Sequence, residues 1–163
     1  MSNSMLRLFC LSFLVMGLAL PDFARADAVQ SVLSSVNAAR AKVGCGPLRI
    51  DAALMAAAKS HAKAMAEQNF FGHGGKDGSR FSSRIKRQGY SFRTAAENIA
   101  AGQNTAGQVV QNWLKSPGHR RNILNCKMTE TGIAVVDQPG DKPLRGSRYP
   151  LRYYWVQVFA APS

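Results

Sequence analysis

The sequence predicts an α+β fold, an antiparallel sheet sandwiched between helical layers. Helical periodicity dominates the chain up to Gln88. A strongly β-prone run, Arg152 to Ala160 (R-Y-Y-W-V-Q-V-F-A), closes it, and an earlier apolar run, Glu130 to Val136, precedes that one across the turn Asp137-Gln138-Pro139-Gly140. Helices first and a returning pair of strands last give segregated helices and antiparallel strands.

The amino terminus reads as a leader. Leu8 to Leu20 is apolar, Arg7 precedes it, and Ala24-Arg25-Ala26 has the small-x-small pattern of a signal-peptidase site. The run is shorter than the roughly 20 residues a spanning helix needs. The expectation is a signal peptide over 1–26, removed on export, and a single domain over 27–163, secreted or periplasmic. Cleavage lowers the formal net charge of +12 to +11, because it removes Arg7, Arg25 and Asp22, and it also removes Cys10.

Asp27 to Val43 reads as a helix, with Val29, Val32, Leu33, Val36, Arg40 and Val43 at helical spacing and Gly44 as its stop. Asp51 is placed to cap a second helix reaching about Gln68, with Leu54, Ala58, His61 and Met65 on one stripe. His61 is read as a core-edge histidine with a structural role. Asn69 to Gly78 is a glycine-rich loop carrying His73, anchored by Phe70 and Phe71. Ser79 to Gln88 is a short helix with Phe81 and Ile85 inward, and Arg80, Arg84 and Arg87 read as a solvated face. Ala95 to Ala101 reads as irregular or briefly extended, delivering Glu97 inward with Asn98 bracing the backbone. Thr105 or Asn104 caps the helix holding Trp113, Pro117 ends it, and a further helical turn begins near His119.

Cys45 and Cys126 are the two cysteines of the exported chain. In an oxidising compartment such a pair is most simply a disulfide, the alternative being two buried free thiols. The positive charge implies affinity for polyanions such as cell-wall polymers or anionic lipid head groups. The basic residues are dispersed and no nucleic-acid module accompanies them, so nucleic acid is not the expected partner.

Four ionisable residues each stand at the end of an element: His73, Glu97, His119 and Glu130. Two imidazoles and two carboxylates suit zinc or a similar divalent ion, and Glu97 and Glu130 are the candidates for acid–base work. No H-E-x-x-H or C-x-x-C spacing concentrates the signal. No G-x-S-x-G elbow offers a serine nucleophile, and no glycine-rich loop follows a strand as at nucleotide sites.

Together, F-F-G-H, A-E-N-I-A-A-G, W-L-K-S-P-G-H-R-R-N-I-L, T-E-T-G-I-A-V and Y-W-V-Q-V-F-A closely resemble the bacterial branch of the CAP superfamily. This is the SCP domain of cysteine-rich secretory proteins, antigen 5 and pathogenesis-related proteins. The resemblance spans nearly all of the exported chain. It implies a three-layer α-β-α sandwich with a central antiparallel sheet and a cleft holding two histidines and two acids that binds zinc in some members. Matched residue by residue, these are His73, Glu97, His119 and Glu130. In plant and animal members the last two positions are exchanged, so their metal geometry does not transfer unchanged. Members have been linked to sterol or lipid binding, defence and virulence, and proteolysis. The expectation is a monomeric exported binding protein whose cleft takes a divalent metal and a lipid or sterol, an anionic cell-envelope polymer or a protein. The alternative is a metal-dependent hydrolase of peptide or cell-wall bonds using the same cleft.

Overall fold

Every residue from Tyr154 to Ala161 is buried, as a strand covered on both faces must be. In a computed structural model describing residues 22–163, this run is the centre of the molecule. The order is α1 (Asp22–Ala41), β1 (Arg49–Ile50), α2 (Ala52–Glu67), α3 (Phe81–Arg87), β2 (Phe92–Ala101), α4 (Ala106–Lys115), α5 (Pro117–Ile123), β3 (Glu130–Asp137) and β4 (Tyr153–Pro162). The sheet order is β1-β3-β4-β2.

The three long strands are antiparallel, as expected, and the two-residue β1 adds a parallel pairing to Glu130 and Thr131. Two residues carry no periodicity, which is why β1 has no signature in the sequence. The sheet is therefore mixed, with an antiparallel body.

Helices cover both faces. On one, Val32 and Val36 of α1, Val109 and Trp113 of α4 and Ile123 of α5 pack against Ile133, Trp155 and Phe159. On the other, Leu54, Ala58 and Met65 of α2 and Ile85 of α3 pack against Ile99, Val156 and Val158. Each fully buried side chain of this size contributes about 1.5–3 kcal/mol of transfer free energy. The alanines of α2 let it lie close on the sheet. A Cβ at Gly132 would stand 2.0 Å from the Leu54 carbonyl carbon, so glycine is what permits the approach.

Several expectations shift. The helix α1 starts at Asp22, not Asp27, since D-F-A-R-A holds no breaker, and it ends at Ala41, leaving Val43 exposed beyond it. Gly44, at φ +77°, makes the turn that follows. The leader reading of 1–26 lies outside the described residues as far as residue 21. The stretch read as irregular, Ala95–Ala101, belongs to a ten-residue strand. Alanine is a poor strand former, but full pairing with β4 overrides that preference.

Arg40, placed on the apolar stripe by its spacing, is indeed buried. Its guanidinium donates to the carbonyls of Gly46, Ile123, Asn125 and Met128 at 2.8–3.0 Å. It thereby ties α1 to the segments on either side of Cys45–Cys126, which form a disulfide closing a separation of 81 residues.

Hydrogen-bond parity defines the two edges. Gln138 N–H donates to Arg152 O and Gly102 N–H to Tyr153 O, both 2.9 Å, so even-numbered residues of β3 and β2 bond to β4. Odd-numbered residues of both strands turn their backbone groups outward.

Candidate functional site

On the β2 edge two of the outward carbonyls are met by side chains. Trp113 Nε1 donates to Ile99 O at 3.2 Å and Asn122 Nδ2 to Glu97 O at 3.4 Å. Asn122 also donates to Asn98 Oδ1 at 2.9 Å, and Asn98 Nδ2 to His119 O at 3.1 Å. Asn98 therefore braces backbone as expected, and the backbone it braces is the first turn of α5, where His119 sits.

The loop following α2 approaches the same edge. His61, buried on α2, donates from Nε2 to Gly72 O at 2.8 Å, and Arg84 Nη2 donates to His73 O at 2.9 Å. Two successive loop carbonyls are thus pinned from beneath, which holds the His73 ring at the surface. His61 has the structural role assigned to it. Burial, above all, lowers its pKa. Its Nδ1 has no partner among the described residues.

His73 Nδ1 meets Glu97 Oε1 at 2.9 Å, while Arg84 Nη2 donates to Glu97 Oε2 at 2.9 Å. The Glu97 side chain is 1% exposed and that of His73 55%, so a surface imidazole rests on a buried acid. With Nδ1 given to the carboxylate, Nε2 is the nitrogen left free. His119 is half-buried, and its pKa is lowered first by burial and then by the charge of His73 close by. The structure thus brings His73, Glu97 and His119 to one edge.

Glu130 is placed elsewhere. It heads β3, two strands from β2, or about 10 Å across the sheet at ordinary strand spacing. There Arg49 Nη2 donates to Oε1 at 3.3 Å and the Tyr90 hydroxyl to Oε2, and burial together with this bond pushes the Tyr90 pKa up. Among the described residues no three His, Cys, Asp or Glu side chains are grouped to hold a metal ion. The four-residue set expected from the sequence divides into a bonded His73–Glu97 pair, with His119 on the same edge, and a separate Glu130–Tyr90–Arg49 latch.

Arg84 corrects the reading of a solvated arginine face. It is 5% exposed and bonds Glu97, His73 O and Ser79 O. The signal was present, since Phe81, Arg84 and Ile85 fall at i, i+3 and i+4 on the inward side of α3.

The Cysteine-rich secretory protein family model, CAP, matches residues 33–159. The uncharacterized Bacillus subtilis protein YkwD is 41% identical over 109 residues, covering 66% of this chain and 42% of that protein. The uncharacterized B. subtilis membrane protein YlbC is 32% identical over 106 residues, covering 65% of this chain and 31% of its own length. The chain thus spans less than half of the curated relatives it matches. An extracellular SCP-domain protein of Bacillus anthracis superposes with a TM-score of 0.72 at 27% identity, over 83% of this chain and 41% of that one. An outer surface protein of Borrelia burgdorferi superposes at 0.73 and 23% identity, over 84% of this chain and 94% of that one, a likeness of fold. No helix among the described residues is long and apolar enough to cross a membrane. With the family model matched across the sandwich and the His73–Glu97 edge, this chain belongs to the CAP, or cysteine-rich secretory protein, family.

Proposed function

We propose that this chain is an exported binding protein whose β2 edge takes a divalent metal ion of the zinc type through His73 and His119, next to an anionic cell-envelope ligand. The observation that carries the reading is the buried Glu97 carboxylate accepting from His73 Nδ1. This is the arrangement that orients an imidazole and raises its basicity as a ligand. Two imidazoles are a fitting but small donor set, so other coordination positions would fall to ligand or water, and binding would be weak. When bound, the ion would supply a point of positive charge for an anionic ligand. The protein's own net charge of +12 favours the same class of ligand. Export is supported by the leader pattern and by the resemblance to the extracellular protein of B. anthracis.

The hydrolase reading needs a carboxylate with a free oxygen to move a proton. Both oxygens of Glu97 are engaged by His73 and Arg84, and both oxygens of Glu130 by Arg49 and Tyr90. Binding is the function the geometry supports best. Isothermal titration with zinc should give a signal for the wild type that the His73→Ala/His119→Ala double variant loses. Equal heats for both would overturn the metal site. Mass spectrometry of lipid and glycan extracted with the protein from its host would identify the ligand. Turnover of peptidoglycan or peptides, abolished by Glu97→Gln, would overturn the choice of binding over hydrolysis.

A further inference from the structure

The two edges of the sheet are treated differently. On the β2 edge, Trp113 and Asn122 cover the outward carbonyls of Ile99 and Glu97. On β3 the outward groups are met only at the start, where Asp51 N–H donates to Thr131 O at 3.0 Å and Ile133 N–H reaches the Met55 thioether at 3.1 Å. Beyond that point, no described residue bonds Ile133 O, the N–H and C=O of Val135, or those of Asp137. β1 occupies this edge for two residues and then leaves it as α2 begins.

A groove of about 350 Å³ runs along the vacated edge, floored by Ile133 to Val136 and walled by Val29 of α1 and Met55 of α2. Its lining is mainly apolar, and among the described residues Lys59 and Arg25 supply its only charges. An unpaired ladder of alternating donors and acceptors is complementary to extended backbone and to little else. The apolar walls suit alternate side chains of such a strand. Both charges on the groove are positive, so they select an acidic residue on it. Cleavage after Ala26 would remove Arg25 but leave Lys59 and every ladder group of β3.

We propose that the outer edge of β3 from Ile133 to Asp137 is a docking site for an extended segment of a partner protein. The segment is apolar at alternate positions, carries an acidic residue for Lys59, and adds to the sheet in continuation of β1. This surface is on the far side of the sheet from the β2-edge cleft, so the proposal stands or falls independently of the metal reading.

The test uses the exported full chain labelled with ¹⁵N and a synthetic peptide of alternating valine and threonine with an aspartate at each end. Binding should slow amide hydrogen exchange at Val135 and Asp137 and leave the even-numbered β3 amides unchanged. A Val135→Pro variant removes one outward donor without touching the β4 ladder and should weaken binding about three- to tenfold. If that variant unfolds, Lys59→Glu provides the second arm: it should weaken this peptide severalfold and favour its lysine-ended counterpart. Three results would overturn the proposal. One is an unchanged exchange pattern with peptide. A second is Val135 already protected in the free monomer, which would show that the chain itself covers the edge. The third is protection that tracks dimerisation without peptide, which would assign it to a second copy.

Discussion

His73 Nδ1 and Glu97 Oε1 meet at 2.9 Å across the boundary between solvent and core, one ring half exposed and one carboxylate almost wholly buried. The contact joins the glycine-rich loop to the rigid β2 strand. The orientation of the imidazole is thereby set from beneath.

Glu97→Gln should destabilise the fold by about 3–5 kcal/mol, because it leaves the Arg84 guanidinium buried without its counter-charge. Chemical denaturation measures this. The double variant Glu97→Gln/Arg84→Met should lose less than the sum of the two single variants, since the partners share one interaction. Additive losses would show that the pair is not coupled.

Acid should loosen both the cleft and the core. His61 and His119 have folded pKa values below the ordinary 6.5, through burial first of all. Each therefore stays neutral in the folded state over a range where the unfolded chain already takes up a proton. Their contribution to stability is complete above pH 6.5 and is lost as pH falls through the lowered values. On the proposed metal site, zinc affinity should fall over the same window as His119 protonates. His61→Phe should flatten the pH dependence of stability while the zinc dependence persists.

Removing the disulfide through Cys45→Ser/Cys126→Ser should cost up to about 4.5 kcal/mol by the loop-entropy relation, given the separation of 81 residues. Arg40 bonds carbonyls on both sides of the bridge and should keep the native arrangement locally formed. Thermal unfolding with and without reductant reads the loss. A wild-type protein indifferent to reductant would show that the bridge contributes nothing.

Gly132→Ala should destabilise the protein by at least the roughly 1–3 kcal/mol typical of overpacking. The new methyl would meet backbone of α2 at 2.0 Å, and no side-chain rotation relieves that. Soluble yield and denaturant midpoint test it, with Gly140→Ala, where a Cβ meets nothing within 4 Å, as the neutral control.

By itself, the sequence determined the elements whose signal is local. Asp51 caps its helix as read, and of the candidates Thr105 and Asn104 it is Thr105 that caps α4; they accept from Leu54 and Gln108 N–H, because capping depends on a residue and its near neighbours. β-prone apolar runs located β3 and β4, and the ordered motifs located the family and its sandwich. Tertiary structure alone decided the rest. Whether Ala95–Ala101 is a strand depends on β4 pairing with it, and whether Arg84 is solvated depends on Glu97, thirteen positions away, being buried beside it. Glu130 was separated from the cleft by the insertion of β4 between β3 and β2, a matter of strand order that no spacing along the chain encodes. Propensity and capping act over a few residues. Strand order, and the desolvation that pairs buried charges, act between residues that only the folded chain brings together.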